Sequence, residues 1–155
     1  MLSDFILEHK TFLLQAEAAT WQDAVKKSVD LLINSGCALP VYYDAILNAV
    51  KEFGPYFVIA PGIAMPHARP EQGALKLGYA LVCLKKPVSF GHSTNDPVDI
   101  ILCITAPDKQ ALNEQAIIEV MNLFDNDKAL SDLRNAKNEG DLKEILSSIN
   151  TEEHV

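Results

Sequence analysis

Residues 60–76 read APGIAMPHARPEQGALK and gather more groups suited to chemistry than any other stretch of the chain. His67 is the centre of it. An imidazole titrates near neutrality and offers a nucleophilic ring nitrogen. Pro66 restricts the backbone just before it. Arg69, two residues on, carries a guanidinium that could face a phosphate. Gly62 would let the backbone approach a ligand closely. Pro61, Gly62, Pro66, Pro70 and Gly73 fall within 13 residues. That density excludes a helix or a central strand, so a shaped loop is expected.

Phosphoryl transfer to His67 is the chemistry this set fits. The transferred group passes through a loose transition state with charge on its equatorial oxygens. One neutral imidazole, a few N–H donors and a nearby cation are then sufficient. No metal or cofactor is called for. The same residues also fit a plain alternative, a histidine that merely occupies a turn.

The elements that must hold this loop are legible from periodicity. Val25, Val29, Leu32 and Ile33 share one helical face, so a helix is expected over 22–34. Thr20 with Asp23 marks its start and Gly36 its stop. Tyr42, Ala45, Ile46, Ala49, Val50 and Phe53 predict a second helix over about 41–53, ended by Gly54-Pro55. Residues 56–59 read as a short strand. LGYALVCL at 77–84 and VDIILCIT at 98–105 are nearly continuous apolar runs, the mark of strands covered on both faces. Residues 88–90 could add a further short strand. Leu112, Ala116, Ile117, Val120 and Phe124 define another helix face, and two short helices follow at about 128–136 and 141–149. Together these predict an α/β fold, a mixed central β-sheet flanked by helices on both faces.

Composition narrows the function. The chain has 155 residues, 48% of them hydrophobic and 22% charged. That suits one domain over 1–155, with a core at about 5–149 and an acidic C-terminal tail. The net charge of −8 argues against nucleic acid as a partner. Residues 138–155 hold five acids and one base, Lys143, which favours a basic protein partner. No apolar run is long enough for a membrane helix, and the first residues lack a signal peptide's basic flank, so a cytoplasmic protein is expected. Cys37, Cys83 and Cys103 are widely spaced and read as core residues, neither disulfides nor metal ligands.

GIAMPHA at 62–68 resembles the G-I-A-x-P-H signature of the mannitol/fructose-type enzyme IIA domains. These belong to the bacterial phosphoenolpyruvate-dependent sugar phosphotransferase system (PTS). The likeness extends over about residues 5–149, through LGYALVCL, the PVSFG turn and VDIILCITAPD. Residues 66–71 and NDPVDI at 95–100 are most similar to the branch of that family that serves L-ascorbate. The resemblance implies a phosphocarrier. His67 would take a phosphoryl group from the phosphohistidine of the small carrier HPr and pass it to a cysteine of the cognate IIB protein. The membrane component IIC would be reached only indirectly.

The family often has an Arg-Glu or Arg-Asp pair before the active histidine, and the matching positions here are Lys51 and Glu52. A second histidine found in many members corresponds to Asn113. Lysine lacks the bidentate fork of arginine, and asparagine carries no charge. Arg69, Lys51, Asn113, Gly62 and Ser93 are therefore the candidates for stabilising a phosphate, with His92, Glu52 and Thr94 as further possibilities. His92 lies in FGHSTNDP, a turn-like stretch, and His9 and His154 lie near the ends.

Three rivals are open at this point. A metal-dependent hydrolase would use His67, His92, Asp96 and Asp99, although their spacing is not that of H-E-x-x-H. A regulatory module would keep the histidine without feeding a transporter. A carrier for another polyol, such as galactitol, would keep the chemistry and change the sugar.

Overall fold

The computed structural model describes residues 2–153, with backbone alone for 150–153. His154 lies outside the described residues. The elements run α1 Leu2–His9, β1 Phe12–Ala16, α2 Trp21–Asn34, α3 Val41–Phe53, β2 Val58–Ala60, β3 Ile63–Ala64, β4 Gly78–Val88 and β5 Val98–Thr105. Then come α4 Lys109–Ala111, a π turn Leu112–Ala116, α5 Ile117–Phe124, α6 Asp127–Asn135 and α7 Glu139–Glu153. The strands form one sheet in the order β1-β4-β5-β3-β2. β1 is parallel to β4 and β3 to β5, while β4–β5 and β2–β3 are antiparallel. The sheet is therefore mixed, as expected.

Strand periodicity sorts the core into two layers. Tyr79, Leu81, Cys83, Ile100, Leu102 and Ile104 face α1 and the helices from α5 to α7. Ala80, Val82, Leu84, Ile101 and Cys103 face α2 and α3. Both faces are covered, which explains why the two strands read as unbroken apolar runs. Burying each such aliphatic side chain contributes about 1.5–3 kcal/mol. Cys83 and Cys103 belong to these layers, and burial pushes both thiols up to about 12. They stay protonated, in keeping with packing residues.

α2 starts as read, with the Thr20 hydroxyl accepting a hydrogen bond from Asp23 N at 3.1 Å. Several boundaries differ. Residues 55–57 form a turn, so β2 begins at Val58 and not at Tyr56. Val88 is the last residue of β4, and no separate strand follows it. Ser89 and Phe90 bind the Asp96 carboxylate instead. Ile63–Ala64 enters the sheet between β2 and β5, which corrects the expectation that the proline- and glycine-rich stretch holds no central strand. Two residues suffice because Pro61 and Pro66 bracket the pair without sitting in the ladder. The acidic C-terminal stretch is helical where it is described. It is α7, anchored by buried Leu142, Leu146 and Ile149.

Candidate active site

Beyond β3 the chain leaves the sheet as residues 65–69, and nearly every backbone group there is engaged. Met65 N donates to Phe57 O at 2.8 Å, and Ile104 N donates to Pro66 O at 3.2 Å. Tyr56 Oη donates to the carbonyl of His67 itself. Ala68 N donates to Tyr42 Oη at 3.0 Å, and that hydroxyl donates to Ile104 O at 2.7 Å. Tyr42 is fully buried in α3, so its hydroxyl rivets the loop to β5. A proline-rich segment with these partners is held in one shape.

His67 is oriented within that frame. Its Nδ1 lies 2.8 Å from Met65 O. A carbonyl can only accept, so Nδ1 carries the hydrogen and Nε2 keeps the lone pair. Burial lowers the imidazole pKa, and the Met65 carbonyl pulls more weakly the other way. The ring is therefore neutral at pH 7, the form that can attack. The Tyr56 ring meets it edge-on at 5.8 Å, and burial pushes the Tyr56 phenol up to about 12. Tyr56 thus stays a hydrogen-bond donor across the physiological range.

His67 lines a cleft of about 850 Å³. One wall is α3, through Ala45, Asn48, Ala49, Glu52 and Phe53. The floor is the loop from His67 to Gln72 with Tyr56, and the far wall is Lys109, Leu112 and Asn113. Arg69, Glu52 and Asn113, expected from sequence, are thus brought to one cleft with His67. Pro70–Gln72 forms a single 3₁₀ turn, closed by Arg69 N donating to Gln72 Oε1 at 3.0 Å. The far wall includes the π turn, a rare widening that often marks functional positions.

Other expected residues lie elsewhere. Lys51 is exposed in the last turn of α3 and does not line the cleft. Gly62 is at the opposite end of β3. Its φ of +78° suits glycine, and a Cβ there would meet the Arg134 guanidinium at 3.0 Å and Asp99 Oδ1 at 3.2 Å. Its close approach is to that ion pair, not to a ligand in the cleft. His92, Ser93 and Thr94 share that far end, because Gly62 N donates to Asn95 O at 2.9 Å. From Asp99 to Ile104 is five residues of strand, roughly 16 Å. The four ligands of the hydrolase reading are therefore split between two ends of the sheet. Asp96 and Asp99 are moreover engaged by backbone N–H groups and by Arg134, respectively.

Tyr42, Tyr56 and Lys109 were not legible as site residues in the sequence. The tyrosines are ordinary apolar positions by pattern, and Lys109 is 42 residues from His67. The TAPD segment just before Lys109 was the one available pointer.

Comparison with known proteins agrees with the geometry. The family model for the phosphoenolpyruvate-dependent sugar phosphotransferase system, EIIA 2, matches residues 5–149. The ascorbate-specific PTS system EIIA component of Escherichia coli (strain K12) is 48% identical over 149 residues, covering 96% of this chain and 97% of that protein. The solution structure of the mannitol-specific cryptic phosphotransferase enzyme IIA CmtB from E. coli superposes with a TM-score of 0.82 at 33% identity, covering 95% and 98%. A complex of enzyme IIAMtl with phosphorylated enzyme IIBMtl from E. coli shares the fold at a TM-score of 0.77, with 23% identity and coverage of 90% and 95%. With the family model matching residues 5–149 and curated relatives matching 96% of the chain, this is a phosphoryl-transfer component: it belongs to the EIIA 2 family of the phosphoenolpyruvate-dependent sugar phosphotransferase system.

Proposed function

We propose that Nε2 of His67 accepts a phosphoryl group from the phosphohistidine of HPr and passes it to a cysteine of a cognate IIB protein, in the uptake of L-ascorbate. The observation that carries this is the hydrogen bond from His67 Nδ1 to Met65 O. It leaves Nε2 as the nucleophile in a residue that lines an open cleft. The P–N bond to the donor imidazole breaks as the P–Nε2 bond forms. The donor leaves as a neutral imidazole, and the Met65 carbonyl steadies the positive charge that the His67 ring acquires. A thiolate then attacks phosphorus, and His67 leaves neutral again. Arg69 and Asn113, which line the same cleft, would donate to the equatorial oxygens.

The IIB acceptor is supported by the related complex of a mannitol IIA with its phosphorylated IIB. Ascorbate is supported by the 46–48% identical curated relatives, which carry that specificity in their names. Among the described residues no helix is long and apolar enough to cross a membrane. We place the exchange in the cytoplasm, within a single domain that spans the matched residues.

The test is phosphorylation from phosphoenolpyruvate through enzyme I and HPr, with wild type beside His67→Gln. Acid-labile label on wild type alone supports the reading. Onward transfer to a purified ascorbate IIB but not to a galactitol IIB supports the specificity. Equal label on both forms would overturn His67 as the acceptor. Label that reaches no IIB would favour a regulatory module.

A further inference from the structure

We infer that Lys109 is a catalytic cation of this site, holding the phosphoryl group on His67 from the far wall of the cleft while Arg69 holds it from the floor. The inference rests on the carrier reading above and adds a residue to it.

The cleft is lined by two cations, Arg69 and Lys109, and two acids, Glu52 and Glu71. Among the described residues neither cation makes an ion pair, whereas Lys26, Lys27, Lys128 and Arg134 all do. The carboxylate beside Lys109 in sequence is already committed. Asp108 Oδ1 accepts from Ala111 N at 2.8 Å as the N-cap of α4. Lys109 stands exposed at the cleft, with no ion-pair partner among the described residues.

Position supports the assignment. Lys109 and Asn113 are four residues apart, so a helical path sets them on one face, and both line the cleft. His67 and Arg69 both line it from the loop that follows β3. Two pairs thus face a common space, one with a nucleophile and a guanidinium, the other with an ammonium and an amide. A phosphoryl group has three equatorial oxygens, and Arg69, Lys109 and Asn113 supply donors from two directions. Lys51, the cation expected from sequence, does not line this space. With Glu52 and Glu71 present, the cleft without Lys109 would be net negative and would repel a dianion.

The experiment is single-turnover phosphoryl transfer from phospho-HPr, with its concentration raised to saturation, for wild type, Lys109→Gln, Lys109→Arg and Lys86→Gln. Lys86 lies on β4 outside the cleft and controls for the loss of one positive charge. The saturated rate of Lys109→Gln should fall about tenfold or more, the worth of one charge-assisted hydrogen bond. Lys109→Arg should recover most of it, and Lys86→Gln should match wild type. A saturated rate for Lys109→Gln equal to wild type would overturn the inference, including the case where only the half-saturating concentration rises. So would equal slowing by Gln and Arg, or by Lys86→Gln. Thermal melts of each variant exclude misfolding as the cause. Failure of the carrier reading shows separately, as wild type that takes no label or His67→Gln that still does.

Discussion

The two histidine-bearing loops at opposite ends of β5 use the same ring in opposite ways. His67 Nδ1 donates to a carbonyl, so its free lone pair is on Nε2. His92 Nδ1 accepts from Thr94 N at 3.2 Å and Asn95 N at 3.0 Å, so in the neutral ring Nε2 carries the hydrogen. The lone pair of His92 is spent on closing a turn. Around it, the Asp96 carboxylate accepts from Ser89 Oγ, Phe90 N, Gly91 N and His92 N. One loop uses side chains to tie down its own backbone. The other is tied down by tyrosines from outside and leaves the Nε2 lone pair of its histidine uncommitted. Which lone pair is available follows from which atoms the surroundings engage, not from the residue type.

The sharpest way to break that contrast is to swap the histidines out one at a time. His67→Gln should reduce phosphoryl labelling to background, while His92→Gln should label as wild type does. Labelling lost in the second variant with the fold intact would erase the distinction between the loops.

Next in size is the rivet. Tyr42→Phe strands Ala68 N and Ile104 O in the core, at about 1–3 kcal/mol for each group left unsatisfied. For a chain of this length each kcal/mol lowers Tm by roughly 2–4 °C. Calorimetry should show a drop of several degrees. Tyr56→Phe removes a hydroxyl from a residue 37% exposed, where water can replace it, and should cost about 1 kcal/mol or less.

Titration gives two subtler tests. The His67 pKa is lowered from an ordinary 6.5, so the neutral form persists below that pH. The transfer rate should stay level as pH falls through 6.5 and decline only below it, checked by a pH–rate profile on the IIA side. The unfolded chain binds this proton first, so burial of His67 lowers stability as pH falls through the same window. Nitrogen-15 shifts should place the hydrogen of neutral His67 on Nδ1 and that of neutral His92 on Nε2. The same tautomer in both would remove the basis of the comparison.

The smallest effect concerns Asp96. Burial works to raise its pKa, but the hydrogen bonds from Phe90, Ser89, Gly91 and His92 together hold it below the usual 3.8. A depressed carboxylate contributes stability above its unfolded pKa and loses it as pH falls through the folded value. Asp96→Asn should therefore melt slightly below wild type at pH 7, and the gap should close in acid.

Much of this is legible in the amino-acid order. β5 spans the residues its apolar run marks, and α2 and α3 follow their 3.6-residue faces and caps. β1 is not legible in the sequence because an edge strand of five residues with no fully buried position leaves no alternation to read. β3 was hidden by its neighbours, since two paired residues between prolines resemble any other loop. In the site, His67 stood out by motif, and Arg69 by lying next to it. Gly62 and Ser93 resemble site residues by closeness in sequence or by type, yet strand β3 and the length of β5 carry them to the other end.

What the amino-acid order determined by itself is local: which segments have an apolar face, where caps and prolines stop them, and that an imidazole sits in a constrained turn. Those properties depend on neighbours within a few residues. The tertiary structure alone decided that Lys109 lines the same cleft as His67, that Tyr42 and Tyr56 hold its backbone, and which ring nitrogen is free. Each of these depends on distances between residues far apart in the chain, and the packing of α3 and the π turn against the end of one sheet sets them.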